Sequence, residues 1–525
     1  MLFLLALAVY GLVSLALPVG PGRDLGTYLR VYDQLFDSVV YPQAMAARTP
    51  GAALVAGPLL DTGSAVVVEV AMALLYALSI LSWCAVARRF GAAAAILTAA
   101  GLLAYPGYAI LFHALSTDAL FAAGFAFTAP LVVRLLERPS AGRAAAVGGA
   151  VAGLVLVRPS NQVLVLLVVL PLLAGGTWRR RLLGAAAFLA AAALPLLGWA
   201  AHNAIRADDF TVARGGGVAV PFFRAFVEDR IVRPENGPAS RELARAIERE
   251  LLTREPYRSY GIDLDEFFSA GSARMHEDMI GLSDRVWGWD DDYAHVASAA
   301  REAVRKHPGT YARGVARDVY RLLWWPLLAG APPARAGDGS APGGGAADTV
   351  VVDGRTLPRP SEGEPIPAAR QSGFVSTPDG RIREVWTSPT EHHIEFRDPS
   401  DARRAAALDR HLIEQFATFP ERTGVRGLRS LLDDLSRLYP RPLMWLLAAL
   451  IAAAVRRPRD LRGPLALAAA ALVVIGTTAL AVYAVAEYTV PVAPAFVLLF
   501  AVALLGPRRE RAAGRVSQGS IVASE

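Results

Sequence analysis

Two aspartates stand where apolar sequence meets polar sequence. Asp24 follows the apolar run 2–19, and Asp118, in Ser116-Thr117-Asp118, opens the run 116–136. A carboxylate held away from bulk water keeps its proton more tightly unless a cation pairs with it, and is then a stronger base. Such a base suits removal of a proton from a hydroxyl that attacks an electrophilic carbon. Simpler roles compete. Asp24 would cap the helix that follows it, and Asp118 or Ser116 would cap the next. Arginines supply the opposite charge. Arg48 lies in Arg48-Thr49-Pro50-Gly51, Arg158 in Val157-Arg158-Pro159-Ser160-Asn161, and Arg206 and Arg214 follow the run 181–201. Guanidinium groups bind phosphate through paired N–H donors, although an arginine beside an apolar run often merely snorkels.

The elements that must position these groups follow from spacing. Leu25, Tyr28, Leu29, Tyr32, Leu35 and Phe36 recur at helical intervals after Asp24. They predict an amphipathic helix lying on a membrane surface, where an acid can meet a water-soluble and a lipid-linked reactant together. The apolar patch 52–60 is too short to span and is expected to re-enter or lie flat. Gly215-Gly216-Gly217 lacks the Lys-Ser that would mark a phosphate loop. His392-His393, with Glu391 and Glu395, could ligate a divalent ion, but neighbours on a strand point to opposite faces. His276-Glu277-Asp278 and Asp290-Asp291-Asp292 read as solvated surface. No cofactor is required, and a divalent metal has no support.

Charged residues are only 19% of the 525, and hydrophobic residues 54%. A soluble domain usually carries about 25% charged residues, so the chain is expected to be an all-α polytopic membrane protein. The net charge is +6, and every basic residue but Lys306 is arginine. No basic stripe interleaves with aromatics, so nucleic-acid binding is unsupported, while the lipid bilayer is a natural partner. Cys84 is the single cysteine, which excludes an internal disulfide.

About ten spans are expected: 2–19, 64–87, 91–112, 116–136, 142–158, 161–176, 181–201, 441–456, 464–484 and 489–506. Met1 to Leu17 lacks a basic start and an A-x-A site, so it reads as a retained first span. Arg88-Arg89, Arg134 to Arg143, Arg179 to Arg181, Arg456 to Arg462 and Arg508 to Arg515 then share one side. The positive-inside rule makes that side, and both termini, cytoplasmic. Loop 20–63, segment 203–438 and the turn at Glu487-Tyr488 face the other side. Residues 311–329 are expected to lie at the interface, because one more span would move Arg456 to Arg462 outside. The layout is thus an N-terminal membrane module 1–202, an extracytoplasmic mixed segment 203–438, C-terminal helices 439–507 and a tail 508–525. Within the mixed segment, 203–330 reads as helical, 331–347 as disordered linker, 373–396 as short strands around a turn at 376–380, and 401–437 as amphipathic helix.

The order of these motifs resembles the GT-C superfamily of membrane glycosyltransferases, in particular its bacterial branch related to protein O-mannosyltransferases and aminoarabinose transferases. The pattern runs from an acid after the first span, through a Thr-Tyr-Leu helix, an Arg-Thr-Pro turn and Ser-Thr-Asp opening a span, to an Arg-Pro turn and a Trp…Asn…Phe-Thr exit. It covers residues 20–225 best and touches His307-Pro308-Gly309-Thr310-Tyr311 and Glu487-Tyr488-Thr489-Val490-Pro491. The resemblance implies a hexosyl- or pentosyltransferase of the bacterial plasma membrane, serving cell-envelope or cell-wall biogenesis. It implies a polyprenyl-phosphate sugar donor and an extracytoplasmic glycan, lipid or protein acceptor. Asp24 is then the general base and Asp118 a second acid, with Tyr28, Arg48, Arg158, Arg206 and Tyr488 against donor phosphate or substrate. The chain departs at Glu487, where relatives often carry arginine, and at the insertion-like segment 331–400. A ligase or polymerase of lipid-linked glycans is a neighbouring reading. A transporter or flippase is the alternative from another class. Against it, no repeat is visible and Glu69 is the main acid inside a span.

Overall fold

The computed structural model describes residues 1–215, 220–329, 349–352, 354–358, 377, 379–386, 392–420 and 423–507. The linker 331–347, Gly216, Gly217, Ser376, Pro378, Glu391, the tail 508–525 and much of 331–400 lie outside the described residues.

The chain is mostly helical. Helix α1 (Leu2–Ala16) leads to a two-residue strand, β1 (Gly20–Pro21), and three short helices fill the loop beyond it: α2 (Leu25–Gln34), α3 (Pro42–Ala47) and α4 (Pro50–Leu60). Helix α5 (Ala65–Arg88) starts at Ser64, whose hydroxyl accepts from the Val67 N–H. The expected span 91–112 is divided into α6 (Ala92–Leu103) and α7 (Pro106–Leu111). Tyr105, held extended (φ −90°, ψ 94°) by the proline after it, makes the break. Strand β2 (Ala114–Leu115) precedes α8 (Thr117–Glu137) and α9 (Ala141–Val157). Residues 159–168 then form a 3₁₀ helix, becoming α-helical only at α10 (Val169–Leu173). Prolines at 159 and 171 remove donors there, and Val163, Val165 and Val168 crowd an α turn. Helix α11 (Trp178–Ala207) closes this half.

A polar layer is interposed next. It holds α12 (Val220–Phe223), α13 (Pro238–Glu250), α14 (Tyr257–Tyr260), α15 (Leu264–Ala270), α16 (Ala273–Val286), α17 (Ala294–Lys306) and α18 (Pro308–Trp324). Two antiparallel hairpins follow: β3 (Thr349–Val352) with β4 (Arg355–Pro358), and β5 (Ile382–Trp386) with β6 (His392–Phe396). Helices α19 (Pro399–Ala417) and α20 (Arg426–Leu438) lead into α21 (Pro442–Arg456), α22 (Arg462–Ala481) and α23 (Pro494–Leu505).

Among the described residues, five helical stretches are long and apolar enough to cross a membrane: Ala65–Arg88, Thr117–Glu137, Trp178–Ala207, Arg426–Arg456 and Arg462–Ala481. The other five expected spans form shorter apolar helices. Leu4, Leu12, Val66, Leu194 and Ile451 are exposed on these helices, as lipid-facing residues would be. Small residues let the helices approach: a Cβ on Gly148 of α9 would meet the Phe188 carbonyl of α11 at 2.2 Å. Helix α18 is not among the apolar helices, and its Asp318 is fully buried against protein.

The interposed layer has its own core, built on Phe222, Phe226, Ile247, Phe267, Met279 and Ala300. Two expectations are corrected. His276 and Asp278 are not solvated surface: His276 packs edge-on to Phe223 at 4.9 Å, and Asp278 accepts from Tyr257 and Arg274. The apolar face of α2 is not laid open on a membrane either. Tyr28, Val31 and Leu35 pack with Ala52 and Ala53 of α4, Leu120 of α8 and Trp199 of α11, leaving Phe36 86% exposed.

Candidate functional site

The site is organised by backbone. Strands β1 and β2 pair in parallel, Gly20 beside Ala114 and Pro21 beside Leu115. The Gly20 N–H donates to the His113 carbonyl at 2.9 Å, and the Gly22 N–H to the Leu115 carbonyl at 3.0 Å. Gly22 must lack a side chain here, since a Cβ would lie 2.3 Å from Ser116 Cβ. The bridge sets Arg23-Asp24 next to Ser116-Thr117-Asp118. A cavity of about 200 Å³ opens at this junction. Its lining combines Arg23, Asp24, Asp118 and Glu487 with Leu17, Ile110, Leu111 and Leu328.

Asp24 occupies the N-cap position of α2, yet its side chain makes no capping hydrogen bond and is exposed. Ser116, not Asp118, caps α8, accepting from the Ala119 N–H at 3.1 Å. That leaves Asp118, 7% exposed, to pair with Arg158, whose guanidinium lies 4.4 Å from the Tyr488 ring centroid. Arg23 donates to Tyr483 Oη at 2.9 Å and Tyr488 Oη at 2.7 Å, and sits 3.7 Å from the Glu487 carboxylate. Arg48 donates through Nε to Thr27 Oγ1 at 3.3 Å, 5.7 Å from the Tyr28 ring centroid. Three cations and three acids therefore gather here. Four of these charges are paired, but Asp24 and Arg48 form no ion pair among the described residues.

The electrostatics agree with this crowding. Burial raises the Glu487 carboxyl above its ordinary value; Asp118 and Asp24 add to the shift, and Arg23 and Arg158 oppose it. Burial also pushes the Tyr28 phenol up to about 12, against the pull of Arg48. It stays protonated at neutral pH and remains a hydrogen-bond donor.

Of the residues expected from sequence, Asp24 and Asp118 share the cavity wall, and Arg158 and Tyr488 stand behind it. Tyr28 and Arg48 adjoin Asp24 through Thr27, whose hydroxyl donates to the Asp24 carbonyl at 2.8 Å. Two arginines are not brought in. Arg206 donates to the Gln34 carbonyl at 3.1 Å. Arg214 is buried between Asp209 and Asp284. Arg23 was missed. Its place in Pro21-Gly22-Arg23-Asp24 was the available signal, but its partners lie some 460 residues on. Among the described residues no three His, Cys, Asp or Glu side chains cluster as metal ligands. His393 instead contacts Glu395 at 3.3 Å, and His392 lies against Trp386. Comparison with protein families, curated proteins and solved structures finds no match to this chain.

Proposed function

We propose that the chain is a GT-C-like glycosyltransferase with about ten spans and both termini cytoplasmic, seated in a bacterial plasma membrane. It moves a sugar from a polyprenyl-phosphate donor to an extracytoplasmic acceptor hydroxyl. Asp24 takes the hydroxyl proton, the oxygen attacks the anomeric carbon, and the bond from that carbon to the phosphate oxygen breaks. The electron pair leaves with polyprenyl phosphate, and the anomeric centre inverts. The leaving phosphate is stable as an anion and needs cations more than an acid. Arg48 is free to meet it directly. Arg23 brings to Tyr488 the positive charge that Glu487 does not supply. Asp118 is a positioning residue that fixes Arg158. The mixed lining supports this reading, offering apolar side chains to a lipid chain and charged ones to a sugar phosphate.

The observation that carries this reading is Asp24, a carboxylate spent on neither a cap nor an ion pair. Asp24→Asn keeps shape and capping ability, because Asn caps about as well as Asp. Transfer from a panel of radiolabelled polyprenyl-phosphate sugars is expected to fall by roughly 10²–10⁴-fold, with the melting temperature unchanged. Asp24→Glu should recover little, since the longer arm displaces the base. Near-normal turnover by folded Asp24→Asn would defeat the assignment.

A further inference from the structure

A second cleft lies in the interposed layer, away from the cavity of Asp24. It has a volume of about 70 Å³ and is walled by the 251–257 turn, α16 and β5. Arg254, Arg274 and Arg285 line it together with the carboxylates of Glu255, Asp278 and Glu384 and the indole of Trp386. Two of the three arginines are engaged. Arg274 pairs with Asp278 at 3.0 Å and Glu384 at 3.8 Å, and lies 5.3 Å from the Trp386 ring centroid. Arg254 makes an exposed pair with Glu250 at 2.9 Å. Arg285 forms no ion pair among the described residues. Burial, then the like charge of Arg254, hold its pKa below the ordinary value, with Asp278, Glu250 and Glu384 offsetting only part of this.

We propose that this cleft is a docking site for an acidic saccharide, a sugar bearing a carboxylate or phosphate, on the acceptor. Arg285 and Arg254 take the anion, since a guanidinium fork matches either group bidentately. Trp386 offers a flat apolar surface to a pyranose ring. Glu384 and Asp278 place acceptors among the donors, which suits a polyhydroxylated ring better than a lone inorganic ion. Glu277 of α16, its carboxyl raised to about 7 chiefly by burial and Asp278, lies within electrostatic reach of Arg274, Arg48 and Glu384. The acceptor role rests on the glycosyltransferase reading; the binding itself does not.

The test is calorimetric titration of the full-length protein in nanodiscs, without any lipid donor. The probes are a galacturonic acid hexamer, maltohexaose, hexaglutamate and inorganic phosphate. The galacturonate hexamer is expected to bind best. R254Q/R285Q is expected to weaken it by roughly tenfold or more, the worth of one charge-assisted hydrogen bond, without lowering the melting temperature. W386A should weaken the hexamer and leave phosphate unaffected. Equal binding of maltohexaose, tighter binding of hexaglutamate, phosphate binding as tightly as the hexamer, or an R254Q/R285Q affinity equal to wild type would each overturn the proposal. Asp24→Asn should bind the hexamer normally, so failure of this site and failure of the catalytic reading are seen in different assays.

Discussion

Two clusters of arginines and acids in this protein serve opposite ends. Around Arg214 and Arg224 in the interposed layer every guanidinium nitrogen is consumed. Arg224, fully buried, gives Nε and Nη2 to Asp229, and Nη1 to Asp318 and the Ala479 carbonyl of α22. Arg214 is spent on Asp209, Asp284, Tyr293 and the Trp289 carbonyl. Around the first cavity the same residue types leave two charges over, Asp24 and Arg48. Saturated clusters bind segments together, and a cluster with a remainder has capacity for a substrate. The residue types are shared, so the difference lies in the count of partners.

Several substitutions would break or sharpen that contrast. The largest stability effect is expected from Arg224→Leu. It leaves buried Asp229 without an ion pair and Asp318 with only the more exposed Arg317 and Arg321, a loss of about 3–5 kcal/mol. Thermal denaturation in detergent measures it, and a wild-type melt would erase the distinction between the clusters. Gly22→Ala comes next. A methyl group 2.3 Å from Ser116 Cβ forces the β1–β2 bridge apart, at a cost of about 1–3 kcal/mol. Transfer activity should fall along with the melting temperature; a variant that melts early yet turns over normally would detach the bridge from the chemistry. Smaller again is the coupling between Asp118 and Arg158. A double-mutant cycle of Asp118→Asn and Arg158→Gln should show roughly 0.5–3 kcal/mol of interaction in stability. Arg158→Lys should restore only part of the donor affinity, for want of a fork. Additive effects would mean that Asp118 does not hold Arg158.

A further effect concerns pH. Burial raises the Glu384 carboxyl to about 7 from an ordinary 4.5, against the pull of Arg274. The folded chain then keeps a proton that the unfolded chain loses across that window, so stability falls as pH rises from about 4.5 to 7. Glu384→Gln should flatten that part of the melting profile while Glu277 keeps its own share. An unchanged slope would place the titration elsewhere.

The sequence made half of the first cavity legible. Asp24 and Asp118 were found because acids at the ends of apolar runs are conspicuous, and Arg158 because it breaks the arginine pattern. Their roles were harder to read. Asp24 reads from sequence as a cap or as a base, and the structure shows that its carboxylate makes no capping hydrogen bond to α2. Arg206 and Arg214 looked as available as Arg48, because a partner such as Asp284 is invisible until the chain folds back. The reverse failure hid Arg23, which reads as an ordinary flanking arginine until Tyr483 and Tyr488 close over it. Helix interiors were legible from hydropathy. The breaks at Tyr105 and along 159–168 were not, since prolines at helix ends and inside helices look alike in a run of apolar letters.

The two-residue bridge between β1 and β2 acts as a mechanical weld. Helices in a bilayer tilt as its thickness and composition change, and a site held only by side chains on two helices would stretch with them. Here Gly20, Gly22, His113 and Leu115 are joined backbone to backbone, at the end where α1 stops and α8 begins. Tilting of α1 against α8 is taken up along the helices below the weld. The mouth of the cavity behaves like the fixed end of a pair of tweezers, whose arms can flex while the spacing between Asp24 and Asp118 is held.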